Sequence, residues 1–342
     1  MNQSKHWYWK PGPRAWATAA RRAGWVAAAL AILPLSARAQ ADYPSRPLHL
    51  VVPYQVGGQV DTIARSVAEG LGKRLGQPVL VENKPGASGI IATNYVAKSA
   101  PDGYTLLLTL ASPITANLVL YKKLPYDPRT ELRPISDIAK GTGVIVINSS
   151  LPVKNIDELI AYARKEPGAI RMGSWGPGST PHVIQHYMNK TYGIDILNVP
   201  YKGELPIMTA LLGGQIDIAL ASVFTLKQPL ATGKIRALAV LGNKRVGSLP
   251  DVPSMAESGY DDEAYRAVTP TTLLAPAQTP AAIVERLGRE ISATVQSPEV
   301  RERLLAMDLE PIGNLPHEAV AEYQTYLPII LKLQADTGVT LD

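Results

Sequence analysis

From Leu48 onward, short apolar runs rich in β-branched residues alternate with stretches of helical period. That alternation marks an α/β architecture with mostly parallel strands. Leu48–Pro53 reads as the first strand, followed by a helix over Asp61–Leu75 whose Ile63, Val67 and Leu71 form one apolar stripe at spacing four. Val79–Glu82 and Tyr104–Thr109 are the next strands, with a helix over Gly89–Lys98 between them and a turn at Pro101-Asp102-Gly103. A second series of strands runs through Val144–Ile147, Ile170–Gly173, Ile196–Pro200, Ile216–Ala221 and Ile235–Leu241. Asn155 with Glu158 three residues on has the form of a capping box before the Ile156, Leu159, Ile160, Ala163 stripe. After an interruption at Leu249-Pro250-Asp251-Val252-Pro253 come a strand near Thr271–Leu274, a helix opened by Thr279-Pro280 and a last helix near Pro316. Two α/β lobes follow from this division.

The first 39 residues depart from the pattern. Six of the 34 basic residues lie there without an acidic one, which leaves 28 basic against 29 acidic in the remainder. The net charge of +5 therefore belongs to the leader and argues for neither nucleic acid nor an anionic surface as partner. Ala23–Leu33 is apolar but far short of the ~20 residues that span a bilayer, and Ala37-Arg38-Ala39 supplies small residues for a cut before Gln40. Residues 1–39 read as a cleaved export signal, of the general or, through Arg21-Arg22, the twin-arginine type. The mature chain is expected in the periplasm, without membrane insertion.

The chemistry is defined mostly by exclusion. The chain contains no cysteine, so thiol nucleophiles, disulfides and thiolate metal sites are ruled out. Gly86-Ala87-Ser88-Gly89-Ile90 resembles a nucleophile elbow without its final glycine, and His182 with His186 lacks the third ligand of a catalytic zinc. No catalytic constellation, metal or cofactor is expected. What recurs is a loop of small residues between a strand and a helix: Tyr54–Gly58, Leu110-Ala111-Ser112 and Ser174–Ser179. Such loops leave backbone N–H groups free at helix N-termini, where a carboxylate is favoured.

In order along the chain, Val51-Val52-Pro53-Tyr54 through Gly57-Gly58, Glu82-Asn83-Lys84-Pro85-Gly86, Pro101-Asp102-Gly103-Tyr104 and Leu124-Pro125-Tyr126-Asp127-Pro128 are joined by a second set of blocks. These are Val199-Pro200-Tyr201-Lys202-Gly203, Gly213-Gly214-Gln215, Arg236-Ala237-Leu238-Ala239-Val240 and Leu249-Pro250-Asp251-Val252-Pro253. Together they resemble the Bug-type substrate-binding proteins of tripartite tricarboxylate transporters. The resemblance implies a type 2 periplasmic-binding-protein fold, with two α/β lobes joined by a hinge and the ligand cleft between them. Lobe one would comprise residues 40–140 and 267–342, and lobe two residues 141–266. It also implies a monomeric receptor that carries a small di- or tricarboxylate to an inner-membrane permease and catalyses nothing. A ligand sensor feeding a receptor kinase and an exported hydrolase are the competing classes.

By position, the implied ligand contacts are Tyr54, Gln55, Gly57, Gly58 and Ser112 in lobe one, and Ser174, Ser179, Thr180, His182, Tyr201, Ala221 and Ser222 in lobe two. Asp61 is expected to cap its helix rather than meet an anion. Where the family often carries Trp-x-Gly-Leu, this chain has Pro270-Thr271-Thr272-Leu273, and Trp175 stands in a loop where small residues are usual. Stacking of Trp175 on an aromatic carboxylate such as terephthalate is the expectation drawn from those departures.

Overall fold

The computed structural model describes residues 43–266 and 268–341. The expected export signal, residues 1–39, lies outside them. The chain divides after Ser45: residues 43–45 of the first unit carry no helix or strand, and the second unit, from Arg46 onward, contains both sheets.

The first sheet is assembled on β1 (Leu48–Val52), whose apolar run is buried almost throughout and pairs in parallel with β2 (Val79–Asn83) and β3 (Thr105–Thr109). Helix α1 (Gln59–Leu75) connects β1 to β2 and buries Ile63, Val67 and Leu71 completely, as its stripe requires. Helix α2 (Ile90–Ala97) makes the next crossover. The sheet is completed by β4 (Leu132–Lys140), β10 (Pro270–Pro276) and the short β11 (Glu310–Pro311), in the order β11-β4-β10-β3-β1-β2. The second sheet contains β5 (Gly143–Asn148), β6 (Ile170–Ser174), β7 (Ile196–Pro200), β8 (Ile218–Ser222) and β9 (Ile235–Val240), in the order β7-β6-β8-β5-β9. Around it lie α3 (Ile156–Lys165), α4 (Thr180–Tyr192), α5 (Glu204–Leu212) and α6 (Val223–Ala231). The chain returns to the first sheet through β10 and ends with α7 (Ala281–Val295), α8 (Pro298–Ala306) and α9 (Pro316–Asp336).

Parallel pairing is less general than the alternation of elements suggests. β3, β4, β10 and β11 pair antiparallel in the first sheet, and β5 pairs antiparallel with both β8 and β9 in the second. β4 runs into β5 through Gly141-Thr142 alone, so one nearly continuous extended segment carries the chain from the first sheet into the second. β4 itself escapes the sequence pattern because Pro134 and Asp137 interrupt its apolar run. Asp137 is nonetheless buried, accepting from Thr272 Oγ1 (2.6 Å) and Asn314 Nδ2 (2.9 Å), and so ties the returning C-terminal segment to β4. Asn155 caps α3 as its spacing indicates, its side chain accepting from the Glu158 N–H at 2.8 Å, while Glu158 reaches back to the Lys154 N–H rather than to that of Asn155.

The lobes approach each other closely. A Cβ at Gly178, in the loop before α4, would fall 1.9 Å from Leu120 Cδ1 of the first lobe, and Gly178 holds a φ of +73°. Only glycine satisfies both conditions.

Candidate ligand-binding site

Between the two sheets lies a cavity of about 150 Å3, walled by both lobes and by the β4–β5 passage. A dry cavity of that order accommodates a benzene ring.

Lobe one contributes Tyr54, Gln55 and Gly58 from the turn after β1, then Gln59 and Val60 from the start of α1. The turn is held from below by Asp61. Its carboxylate accepts from the Gly57 N–H (2.9 Å), from Arg65 Nε and Nη2 (3.0 Å each) and from Asn83 Nδ2 (2.9 Å). Burial works to raise the Asp61 carboxyl, but Arg65, Gly57 and Asn83 together hold it below the ordinary aspartate range. Asp61 thus holds this turn and stays off the cavity, but it lies within the first turn of α1 and the N-cap is Gly58, so the expected cap at Asp61 is not formed. α1 begins at Gln59, two residues before the apolar stripe indicates, and Gly58 offers no side-chain cap. The amides of Gln59 and Val60 therefore have no intrahelical acceptor where they line the cavity. The Tyr54 hydroxyl accepts from the Leu110 N–H at 3.3 Å, and burial pushes its pKa up to about 12.

Lobe two contributes Trp175, Thr180, Gly203, Glu204, Ala221 and Ser222. Trp175 is half-buried; it lines the cavity and also packs against the apolar clusters on both faces of the second sheet. Glu204 opens α5, and its carboxylate accepts from the Ser222 N–H, Ser222 Oγ (3.1 Å) and Thr225 Oγ1 (2.6 Å) at the start of α6. Burial drives the Glu204 carboxyl above the usual glutamate range against those three donors. The wall between the lobes is completed by Thr142, Thr269 and Thr271, with Leu220, Leu241 and Leu309.

Seven of the expected contacts therefore meet at one cavity: Tyr54, Gln55, Gly58, Trp175, Thr180, Ala221 and Ser222. The structure places Gly57, Ser112, Ser174, Ser179, His182 and Tyr201 outside its wall. Gly57 is occupied with Asp61. Ser112 opens a short turn, and its loop reaches the cavity through Leu110. Ser174 and Ser179 are buried beneath the glycine loop, Ser174 Oγ accepting from the Gly176 N–H and Ser179 Oγ donating to the Gly176 carbonyl at 2.6 Å. His182 Nδ1 accepts from the Gly178 N–H at 3.0 Å; burial, and after it His186, keeps the ring below the ordinary histidine pKa, so it acts as a neutral brace. Tyr201 packs against the lobe-two core.

The residues not foreseen include Gln59, Val60, Thr142, Glu204, Thr269 and Thr271. Glu204 follows the Val199–Gly203 block directly, and nothing in its neighbours along the chain signals that a second strand end buries it.

Two α/β lobes that meet at the β4–β5 passage and share the wall of one cavity have the architecture of periplasmic binding proteins, BugD among them, to which the chain is similar at 35% identity and a TM-score of 0.80, covering 87% of this chain and 100% of that one. The chain belongs to the family described as the tripartite tricarboxylate transporter family receptor (TctC), whose model matches residues 63–320. It is 35% identical to the protein BugT of Bordetella pertussis over 291 residues, covering 84% of this chain and 89% of that one. Among solved structures it is similar to Rpa4515 of R. palustris with adipate, at 32% identity and a TM-score of 0.82, covering 88% of this chain and 100% of the other. MatC of Rhodopseudomonas palustris with bound malate superimposes with a TM-score of 0.76 at 27% identity, covering 85% of this chain and 100% of its own.

Proposed function

We propose that this receptor, exported to the periplasm by residues 1–39, captures one small carboxylate between residues 40–140 with 267–342 and residues 141–266, and presents its closed form to an inner-membrane permease. The observation that carries this reading is the cavity itself. It is shared by both lobes, contains no basic side chain among its described lining residues, and receives the uncapped start of α1. A carboxylate there would be held by the amides of Gln59 and Val60 and by hydroxyls, Thr180 and Thr142 among them, with water completing the shell. The carboxylates bound to Rpa4515 and MatC support the ligand class. Trp175 in the wall supports a planar ligand, and the volume suits a six-carbon skeleton.

The test is a thermal-shift screen against aliphatic di- and tricarboxylates, amino acids and aromatic mono- and dicarboxylates, with calorimetry on each ligand that binds. A ligand present at a hundred times its Kd adds about 2.7 kcal/mol of stability. Stabilisation by at least one carboxylate is expected, together with loss of its uptake when the gene is deleted. Silence across the panel overturns the reading.

A further inference from the structure

Among the described residues lining the cavity, Glu204 is the one carboxyl, and no cation accompanies it. It is half-buried and takes part in no ion pair with another described residue. Its Oε1 accepts from the Ser222 N–H and from Thr225 Oγ1, and its Oε2 from Ser222 Oγ. A carboxylate offers about four acceptor positions, so one on Oε2 remains open. Capping α6 does not require this arrangement, since Ser222 is itself a residue type that caps helices and Glu204 reaches it from another helix. A half-buried anion without a counter-charge is costly, and a second carboxylate placed beside it would add repulsion.

The two lobes thus present opposite chemistry to a ligand. On the lobe-one wall the amides of α1 favour negative charge. On the lobe-two wall Glu204 favours a hydrogen-bond donor, above all a cationic one. We infer that Glu204 is a specificity-determining residue: it receives a protonated amine at the lobe-two end of the ligand, and the cavity prefers an amino-substituted carboxylate to a dicarboxylate of the same length. This inference rests on the carboxylate-receptor reading above and narrows its substrate class.

Two matched series test it by calorimetry on the purified protein. One is 6-aminohexanoate, the monoamide of adipate, and adipate; the other is 4-(aminomethyl)benzoate, 4-carbamoylbenzoate and terephthalate. In the series that binds, the amine is expected to bind at least tenfold tighter than the dicarboxylate, with the amide between them. Glu204→Gln, which preserves size, should weaken the amine at least tenfold and leave the dicarboxylate unchanged or tighter. Should that variant fail to fold, the order of affinities in the unmodified protein decides. A dicarboxylate that binds tighter than its amine partner overturns the inference while the receptor reading stands, because Glu204 would then be protonated and donating. An amine preference that survives Glu204→Gln in a folded variant also overturns it. Absence of binding throughout both series and the wider panel overturns the receptor reading itself.

Discussion

The Ser88 hydroxyl donates to the Pro177 carbonyl at 3.0 Å, from the turn before α2 in one lobe to the glycine loop before α4 in the other. The Ser88 backbone is left-handed (φ +50°), and its own carbonyl accepts from Asn117 Nδ2 at 3.1 Å. A strained residue is thus held from its own lobe while its side chain fastens the opposite one. The sequence that resembles a nucleophile elbow has a mechanical use in this fold.

Ser88→Ala removes the fastening and leaves the backbone as it is. A net hydrogen bond contributes about 0.5–1.5 kcal/mol, so a roughly 2- to 13-fold loss of affinity is expected for the tightest ligand of the panel. Calorimetry with an unchanged Kd would show that the bond contributes nothing to the closed form.

Gly178→Ala places a methyl against Leu120 at a left-handed position. Left-handed backbone costs an alanine about 1–2 kcal/mol and overpacking about 1–3 more. Closure should be opposed: affinity drops at least tenfold, and small-angle scattering of the liganded variant gives a larger radius of gyration, with the circular dichroism of both lobes unaltered.

Trp175→Ala separates two roles of one ring. Because the ring packs against both lobe-two clusters, a lower melting temperature is expected whatever the ligand. If the ring also stacks on the ligand, aromatic carboxylates lose about 0.5–1.5 kcal/mol beyond what aliphatic ones lose. Equal losses in the two classes would confine Trp175 to packing.

Asp137 predicts a pH dependence of stability. Burial raises its carboxyl above the ordinary aspartate value, against the hydrogen bonds from Thr272 and Asn314. A group whose folded pKa is raised contributes stability below its unfolded pKa and loses that contribution as pH rises through the folded one. The melting temperature of the wild-type protein minus that of Asp137→Asn should therefore be highest near pH 4 and decline as pH rises. A difference that is flat or grows with pH contradicts this.

Much of the architecture is legible because it is periodic. The Ile63, Val67, Leu71 stripe and the runs beginning at Leu48 and Ile235 identify a buried face from local spacing alone, and the structure buries those residues. β4 is not legible, because Pro134 and Asp137 mask a strand whose polar groups find their partners 135 and 177 residues away. The site divides in the same way. Tyr54, Gln55 and Gly58 fall at a strand-to-helix turn, where free amides can be anticipated, and they reach the cavity. Ser174, Ser179 and His182 stand in an equally suggestive loop, yet their polar atoms are spent holding that loop in shape.

The sequence by itself determined the alternation of strands and helices, the absence of thiol chemistry, and the family through its ordered blocks. These depend on neighbours along the chain and on composition. The tertiary structure decided the antiparallel pairing at the passage between lobes, the Ser88–Pro177 contact and the placement of Glu204 in a wall without cations. Each of these arises where segments far apart in sequence meet, and burial there changes what a side chain can do. A glutamate one residue beyond a familiar block is ordinary on a surface; half-buried in the wall of the cavity that the start of α1 also lines, it sets a carboxyl and anion-favouring amides on the same space.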